Sequence, residues 1–472
     1  MGDWLDLTTE PPRRFAAPLL PKEGKVSLNK VGFALSCSID FPSFGRRGAA
    51  KRRGGSASML LCALVSTPAF AATSPSAKTP LRQFLAQKTP LQIQNQSQTE
   101  FSFSSGDWHG THWTNRVRVF QPRRNLFPGT ATLLFLMDPF VWDGAGGQIA
   151  ADETGTTFVM VYDVPNQPLF RRREDGLLGY SVQMMARTGD PTWSLAFPMT
   201  RSTVRSMDAV QAWSQKSPVP IRKFVLIGFS KRGLSAWLAA PDPRVKALVS
   251  LGYNNLNLPG QAQLQRRNWG ALSTHWTQMI GTDFERQLET PSGQQLTRTW
   301  DPFSFRDEIQ IPKLLVDATN NDYWSLDSPS QFADALKGQT NWLYFANSGH
   351  YMERSVLPMV QTSGAWIRRT LRGQSISNPT LSTSPSRFDL RAPGATSATL
   401  FYATSQNRDF RRASWSQMPM GQNGSSWSAA PPLVPSSARF LAVFGSSDYP
   451  ANAEAGAMQL SSRVAIVPLW AR

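Results

Sequence analysis

A serine stands between glycines at the end of an apolar run, in Val225-Leu-Ile-Gly-Phe-Ser-Lys-Arg-Gly233. A hydroxyl is a poor nucleophile at neutral pH, so acyl-transfer chemistry at Ser230 needs a base within hydrogen-bond reach and donors facing the oxyanion formed on attack. The chain has only His109, His112, His275 and His350 to offer as that base. His350 closes Asn347-Ser-Gly-His350, between an apolar strand and a long helical stretch. An acid that orients the imidazole belongs after the preceding strand, where Asn320-Asn-Asp322 supplies Asp322. Asp327 is the alternative acid, Asp317 alternates within the strand, and Asp301 in Trp300-Asp-Pro reads as a turn or cap residue. The Lys231 amide, opening the following helix, is one oxyanion donor. The second is expected from the loop at 138–147, with Gly144 as the candidate. The competing reading of the serine turn is an N-capped connection with no chemistry, and Arg232 stands where a second glycine would ease the turn.

The elements around these residues alternate. Residues 113–119 read as a half-buried strand, and 130–137 and 157–164 as continuous apolar strands of a parallel sheet. A helix is expected over 201–215, a strand over 224–227, a helix over 231–240 and a strand over 245–251. Residues 254–308 interrupt this rhythm as a cap insertion, after which 313–319 (strand), 327–337 (helix), 342–346 (strand) and 355–372 (helix) resume it. Residues 374–386 have the Ser, Pro and Thr content of a linker, and 387–472 the short alternating runs of a β-sandwich. The expected fold is α/β: a hydrolase-like, mostly parallel sheet over 73–373 with helices on both faces and a small cap, plus a C-terminal all-β sandwich domain.

Composition narrows the partners. The 472 residues carry a net charge of +17, but the arginines are scattered and no basic stretch interleaves with aromatics, which argues against a nucleic-acid groove. Weak association with anionic envelope surfaces fits the excess better. Residues 1–72 read as a leader: Lys51-Arg-Arg53 precedes an apolar stretch at about 59–70, and Ala69-Phe-Ala71 suits cleavage after Ala71 or Ala72, hence export to the periplasm or beyond. Both cysteines, Cys37 and Cys62, lie in that leader, so the exported chain would hold neither a disulfide nor a thiolate metal site. No other apolar run approaches the ~20 residues of a membrane-spanning helix. His109 and His112 lack the adjacent carboxylates of a metal site and read as packing residues, and no cofactor is implied.

Several stretches together resemble the PhoPQ-activated pathogenicity-related proteins, an α/β-hydrolase-fold family. They are Val164-PNQPLF-170 with Arg173-Glu-Asp175, Phe197-Pro-Met199 with Ser206-Met-Asp208, and Gly228-FSKRG-233 continuing to Trp237-LAAPDPRVKAL-248. Trp300-DPFSFRD-307, Ile311-PKLLVDATNNDYW-324, Asn347-SGH-350 and Gln406-NRDFR-411 follow in order. The resemblance implies that Lys231-Arg232 is the family's own form of the serine turn, and that Ser230, Asp322 and His350 match a presumed triad. The sequence departs from the pattern at Asn321, where a glycine is expected, and in Gly252-YNNLN-257, where an acidic residue is expected before the Leu-Asn. The function expected is a secreted or periplasmic serine hydrolase cleaving an ester or amide bond of a small-molecule or peptide substrate. The alternative is a catalytically inert binding or signalling protein on the same scaffold.

Overall fold

The computed structural model describes residues 79–87, 89–139, 143–280 and 284–469. The leader, its apolar segment and both cysteines lie outside the described residues. Along the chain the first half runs α1 (Pro80–Leu85), β1 (Ile93–Gln94), β2 (Glu100–Trp108), β3 (Thr111–Phe120), β4 (Thr130–Phe135), α2 (Asp143–Thr154), β5 (Thr157–Val161), α3 (Glu174–Thr188), α4 (Ala196–Trp213), β6 (Lys223–Phe229), α5 (Lys231–Ala239) and β7 (Val245–Leu251). The expected cap is helical: α6 (Leu258–Trp269), α7 (Thr274–Ile280), α8 (Phe284–Glu289) and α9 (Pro291–Trp300). Then come β8 (Lys313–Ala318), β9 (Thr340–Phe345) and α10 (Val356–Leu371).

In space the strands lie in the order β1-β2-β3-β5-β4-β6-β7-β8-β9. Pairing is parallel from β5 through β4 to β9, with the β2–β3 hairpin antiparallel at one side. Successive side chains of a strand point to opposite faces, and the apolar runs feed both. In β6, Phe224 and Leu226 enter one core with Leu234, Trp237 and Trp276 of α7, while Val225, Ile227 and Phe229 enter a second core with Ala151, Met359 and Trp366. Helices α4 and α5 therefore cover one face, and α2 and α10 the other. The last two pack closely at Gly364, where an added Cβ would stand 2.6 Å from the Glu153 carbonyl oxygen.

The segment expected as a helix over 327–337 forms two short 3-10 turns instead, Ser328–Gln331 and Ala333–Ala335. Phe332 lies between them with φ −147°, which takes it out of helical geometry and buries its ring against Trp342, with centroids 6.2 Å apart. Burial of that ring outweighs the weak helical preference of a short Ser-Pro segment.

Beyond α10 the chain is all β: β10 (Thr380–Thr383), β11 (Phe388–Arg391), β12 (Ser397–Ser405), β13 (Ser416–Pro419), β14 (Gly421–Asn423), β15 (Ser426–Ala429), β16 (Phe440–Tyr449), β17 (Met458–Ser461) and β18 (Ala465–Pro468). Strand β10 falls inside the stretch read as a linker. One sheet, β10-β11-β15-β14, packs on β12 and β16 through a third core containing Leu390, Leu400, Trp427 and Val443. The second sheet, β17-β16-β12-β13 with β18 against β16, continues the central sheet, since β17 pairs with β9 at Ser461 and Trp342. Among the described residues no helix is long and apolar enough to cross a membrane.

The α2–α10 contact makes a direct prediction. Gly364→Ala should lower unfolding stability by about 1–3 kcal/mol in urea titration, because neither backbone can yield. Gly176→Ala, where a Cβ meets open space, should stay within about 1 kcal/mol of the parent. Equal midpoints for the two variants would show that α2 and α10 are not held at this distance.

Candidate active site

Ser230 follows β6 directly and opens α5. Its φ of 51° and ψ of −125° are strained for a residue with a side chain, and persist because the surroundings over-determine them. The Ser230 amide donates to the Leu251 carbonyl at 2.8 Å. Gly228 leaves space for the Arg232 carbonyl oxygen, which a Cβ there would approach to 2.3 Å, and Gly233 lies against Tyr253. Lys231 is the first residue of α5, so its amide is among those with no intrahelical acceptor.

Arg232 does not project into solvent as a crowded turn would suggest. It is buried at 5% exposure, with Nε donating to the Val164 carbonyl at 2.5 Å and Nη1 and Nη2 donating to the two carboxylate oxygens of Glu174 at 2.9 and 2.5 Å. Lys231 Nζ bonds Glu174 and Asp175, both at 2.7 Å. Gln167 holds Glu174 from behind, accepting from its amide at 2.8 Å and donating to its carboxylate at 2.7 Å. Burial by itself would raise the Glu174 pKa, but Arg232 and Lys231 beside it hold the carboxyl far below the usual range. The motif blocks around 164–175 and 228–233 are thus two halves of one half-buried charge cluster centred on the buried Arg232.

His350 lies five residues beyond β9, and its Nε2 is 3.2 Å from Ser230 Oγ. The imidazole is 3% exposed, tilted against Phe229 with centroids 5.0 Å apart and stacked on Tyr323 at 4.1 Å. Burial pushes its pKa down to about 3, against the pull of the Asp322 charge, so it is neutral and able to accept a proton at pH 7. His350 Nδ1 is buried without a hydrogen-bond partner.

Asp322 follows β8 as expected but bonds another histidine: Oδ2 is 3.0 Å from His275 Nε2. That hydrogen bond is the main reason its pKa is lowered, while its charge also acts on His350 through space. Between them stands Tyr323, its ring stacked on His275 at 3.8 Å and 6° and on His350 at 4.1 Å, with its hydroxyl donating to Asp175 at 3.0 Å. His275 carried no sequence signal beyond the scarcity of histidine, because α7 brings it here only in three dimensions, and Tyr323 lay in a matching block without an assigned role. Asp327, the alternative acid, is committed elsewhere: it accepts from Asn268 at 2.6 Å and Ser325 at 2.9 Å, and pairs with Arg408 at 2.9 Å. Asp317 is gripped by Asn321 at 2.7 Å and Asn254 at 2.5 Å, which gives two of the unexpected asparagines a structural partner. Asp301 caps the start of α6, accepting from Leu258 at 2.7 Å. Gly144 sits in the first turn of α2, and residues 140–142 of its loop lie outside the described residues.

The C-terminal β region clamps these loops. Asn347 and Trp415 exchange two hydrogen bonds, at 2.8 and 2.7 Å, and Asn320 donates to the Ala413 carbonyl at 2.8 Å. The acid and histidine loops are therefore both tied to 408–415. His109 is a packing residue as expected, stacking on Trp193 at 3.6 Å, whereas His112 is an exposed hairpin residue paired with a nearby carboxylate after all, Asp107 at 2.6 Å. Among the described residues no cluster of three His, Cys, Asp or Glu is placed to hold a metal.

A sheet ordered this way, with a strained serine after its central strand and a histidine in the loop after β9, defines an α/β-hydrolase fold. The chain belongs to the PhoPQ-activated pathogenicity-related protein family, whose model matches residues 76–411. It is 31% identical over 197 residues to autocrine proliferation repressor protein A of Dictyostelium discoideum, an alignment spanning 40% of each chain. Solved structures it is similar to include Est1E from Butyrivibrio proteoclasticus (12% identity, TM-score 0.37, 60% of this chain and 100% of that one). Another is an acetyl xylan esterase from Paenibacillus sp. R4 (13% identity, TM-score 0.41, 61% and 95%).

The charge cluster governs acid stability. The folded-state pKa of Glu174 lies below its unfolded value, so its stabilisation is complete above about pH 4.5 and is lost as the pH falls further toward the folded-state value. Glu174→Gln should cost about 3–5 kcal/mol at pH 7 by stranding Arg232, and should flatten the pH dependence of chemical unfolding below pH 4.5. An unchanged urea midpoint would rule out the pair as a structural element.

Proposed function

We propose that the protein is an exported serine hydrolase acting on ester or amide bonds. The observation that carries this reading is the 3.2 Å contact between Ser230 Oγ and His350 Nε2 at a strained turn. Ser230 Oγ attacks the carbonyl carbon while His350 Nε2 takes its proton, and the leaving group departs with that proton. The imidazolium formed in this step is stabilised through space by the Asp322 charge, with Tyr323 stacked on its face. The Lys231 amide, and an amide at the start of α2 near Gly144, are the oxyanion donors in this reading. Because His350 is neutral well below pH 6.5, the base is available across the physiological range.

A fluorophosphonate probe should label Ser230, labelling should vanish in Ser230→Ala, and His350→Ala should slow it about 10²–10⁴-fold. Its rate should fall on the acid side only well below pH 6.5, since the buried His350 resists protonation. A limb near pH 6.5 would mean a solvated imidazole, and full labelling of Ser230→Ala would sink the hydrolase reading. For export, N-terminal sequencing of the secreted chain should begin at Ala72 or Thr73, and recovery of an uncleaved intracellular chain would oppose it.

A second reading, a binding or signalling protein on an inert hydrolase scaffold, is favoured by the missing partner on His350 Nδ1 and the engagement of Asp322 by His275. This reading requires an unlabelled Ser230 in the folded protein.

A further inference from the structure

We propose that His275 is a positioning residue that withholds Asp322 from His350, and that passage of the Asp322 carboxylate from His275 Nε2 to His350 Nδ1 readies Ser230 for attack. This proposal rests on the hydrolase reading and names a regulation of that same site. The imidazole beside the serine is incomplete as it stands. His350 Nε2 meets Ser230 Oγ at 3.2 Å, while Nδ1 is buried without a hydrogen-bond partner. The carboxylate expected at Nδ1 lies 3.0 Å from His275 Nε2 instead.

The orphaned nitrogen decides where the imidazole keeps its proton. A neutral imidazole carries one, and Ser230 Oγ can share a hydrogen bond with Nε2 in either tautomer, so the difference between them falls on Nδ1. A buried N–H without an acceptor is rarer in folded proteins than an acceptor without a donor. The proton therefore rests on Nε2, and that nitrogen then has no lone pair with which to take the proton of the serine. A carboxylate at Nδ1 reverses the balance by accepting from Nδ1–H. The imidazole keeps its single proton and its neutrality, and the Nε2 lone pair is freed for Ser230.

Asp322 is the acid placed to make this exchange. Its side chain is 54% exposed, and among the described residues His275 is the single side chain bonded to its carboxylate. The other acids are committed: Asp317 to Asn254 and Asn321, Asp327 to Asn268, Ser325 and Arg408, and Asp175 to Lys231 and the Tyr323 hydroxyl. Asp322 immediately precedes Tyr323, whose ring stacks on both imidazoles, and its charge already bears on His350. Ser273 Oγ accepts from the His275 amide at 3.2 Å and donates to the Asp322 carbonyl at 2.9 Å. The main chains at 275 and 322 thus stay joined while the carboxylate turns about its own side-chain bonds. His275, with its side chain 29% exposed, can replace the lost hydrogen bond with water, which the buried Nδ1 of His350 cannot.

The test follows the rate at which a fluorophosphonate labels Ser230, together with the tautomer of His350 read by NMR after the four histidine rings are labelled with heavy nitrogen. In the parent protein His350 should carry its proton on Nε2. His275→Phe keeps a ring to stack on Tyr323 but offers Asp322 no donor, so the His350 proton should move to Nδ1 and labelling should quicken at least about tenfold, the gain expected of a hydrogen bond to a charged group. Adding Asp322→Asn to that variant should abolish the gain. His275→Gln, whose amide can still donate to Asp322, should label near the parent rate, a rescue that a purely structural role for the ring would not give. Labelling of His275→Phe no faster than the parent, a gain that survives Asp322→Asn, or a His350 proton already on Nδ1 in the parent overturns the restraint and leaves the hydrolase reading standing. Failure of Ser230 to label in the parent and in every variant overturns the hydrolase reading and the restraint with it. The parent's tautomer is measured without any substitution, so poor folding of a variant does not shield the proposal.

Discussion

The site depends on a buried arginine beneath the serine turn and the half-buried carboxylate that pairs with it. Arg232 occupies a position where a small residue would be simpler, and its guanidinium can stay buried only because Glu174 meets it with both carboxylate oxygens and Val164 offers a carbonyl. A charge removed from water without such partners would cost several kcal/mol. The pair fixes where α3 begins relative to β6 and α5, and through Lys231 and Asp175 it reaches the hydroxyl of Tyr323, whose ring packs on His350. One electrostatic constraint thus connects the turn that presents Ser230 to the residue that flanks His350.

The C-terminal β region has a place in the same scheme. It extends the central sheet beyond β9 and reaches back over the carboxyl edge, where 408–415 holds Asn320, Asp327 and Asn347. Loops at that edge carry chemistry but lack the rigidity of strands. Tying the acid and histidine loops to one external segment gives them a common reference. It also accounts for the Gln406-to-Arg411 block, whose Arg408 meets Asp327 across the fold.

Much of the scaffold could be read from sequence because its signals are local. Continuous apolar runs such as Phe224–Ile227 belong to strands buried on both faces, and the period of residues 201–215 belongs to a helix with one apolar stripe. The reading failed where tertiary burial overrode a local preference. Phe332 gains more from burial beside Trp342 than the segment gains from helix, so 327–337 became short turns. Strand β10 lies in a Ser- and Thr-rich stretch that carries hardly any apolar pattern, and only pairing with β11 makes it a strand.

What the sequence determined by itself was which side chains are available and in what order: a serine after one strand, acids after a later one, a histidine after the strand that follows, and the charged residues around the turn. Those are properties of residue type and chain position. Only the tertiary structure decided how they pair. Asp322 has both His275 and His350 within electrostatic reach, and its hydrogen bond goes to His275 because α7, remote in sequence, delivers that imidazole to within 3.0 Å of its carboxylate. Asp327 is taken by an arginine from the β region for the same reason. Hydrogen bonds are short and directional, so their partners are set by packing to within an ångström, a scale that the order of residues does not specify.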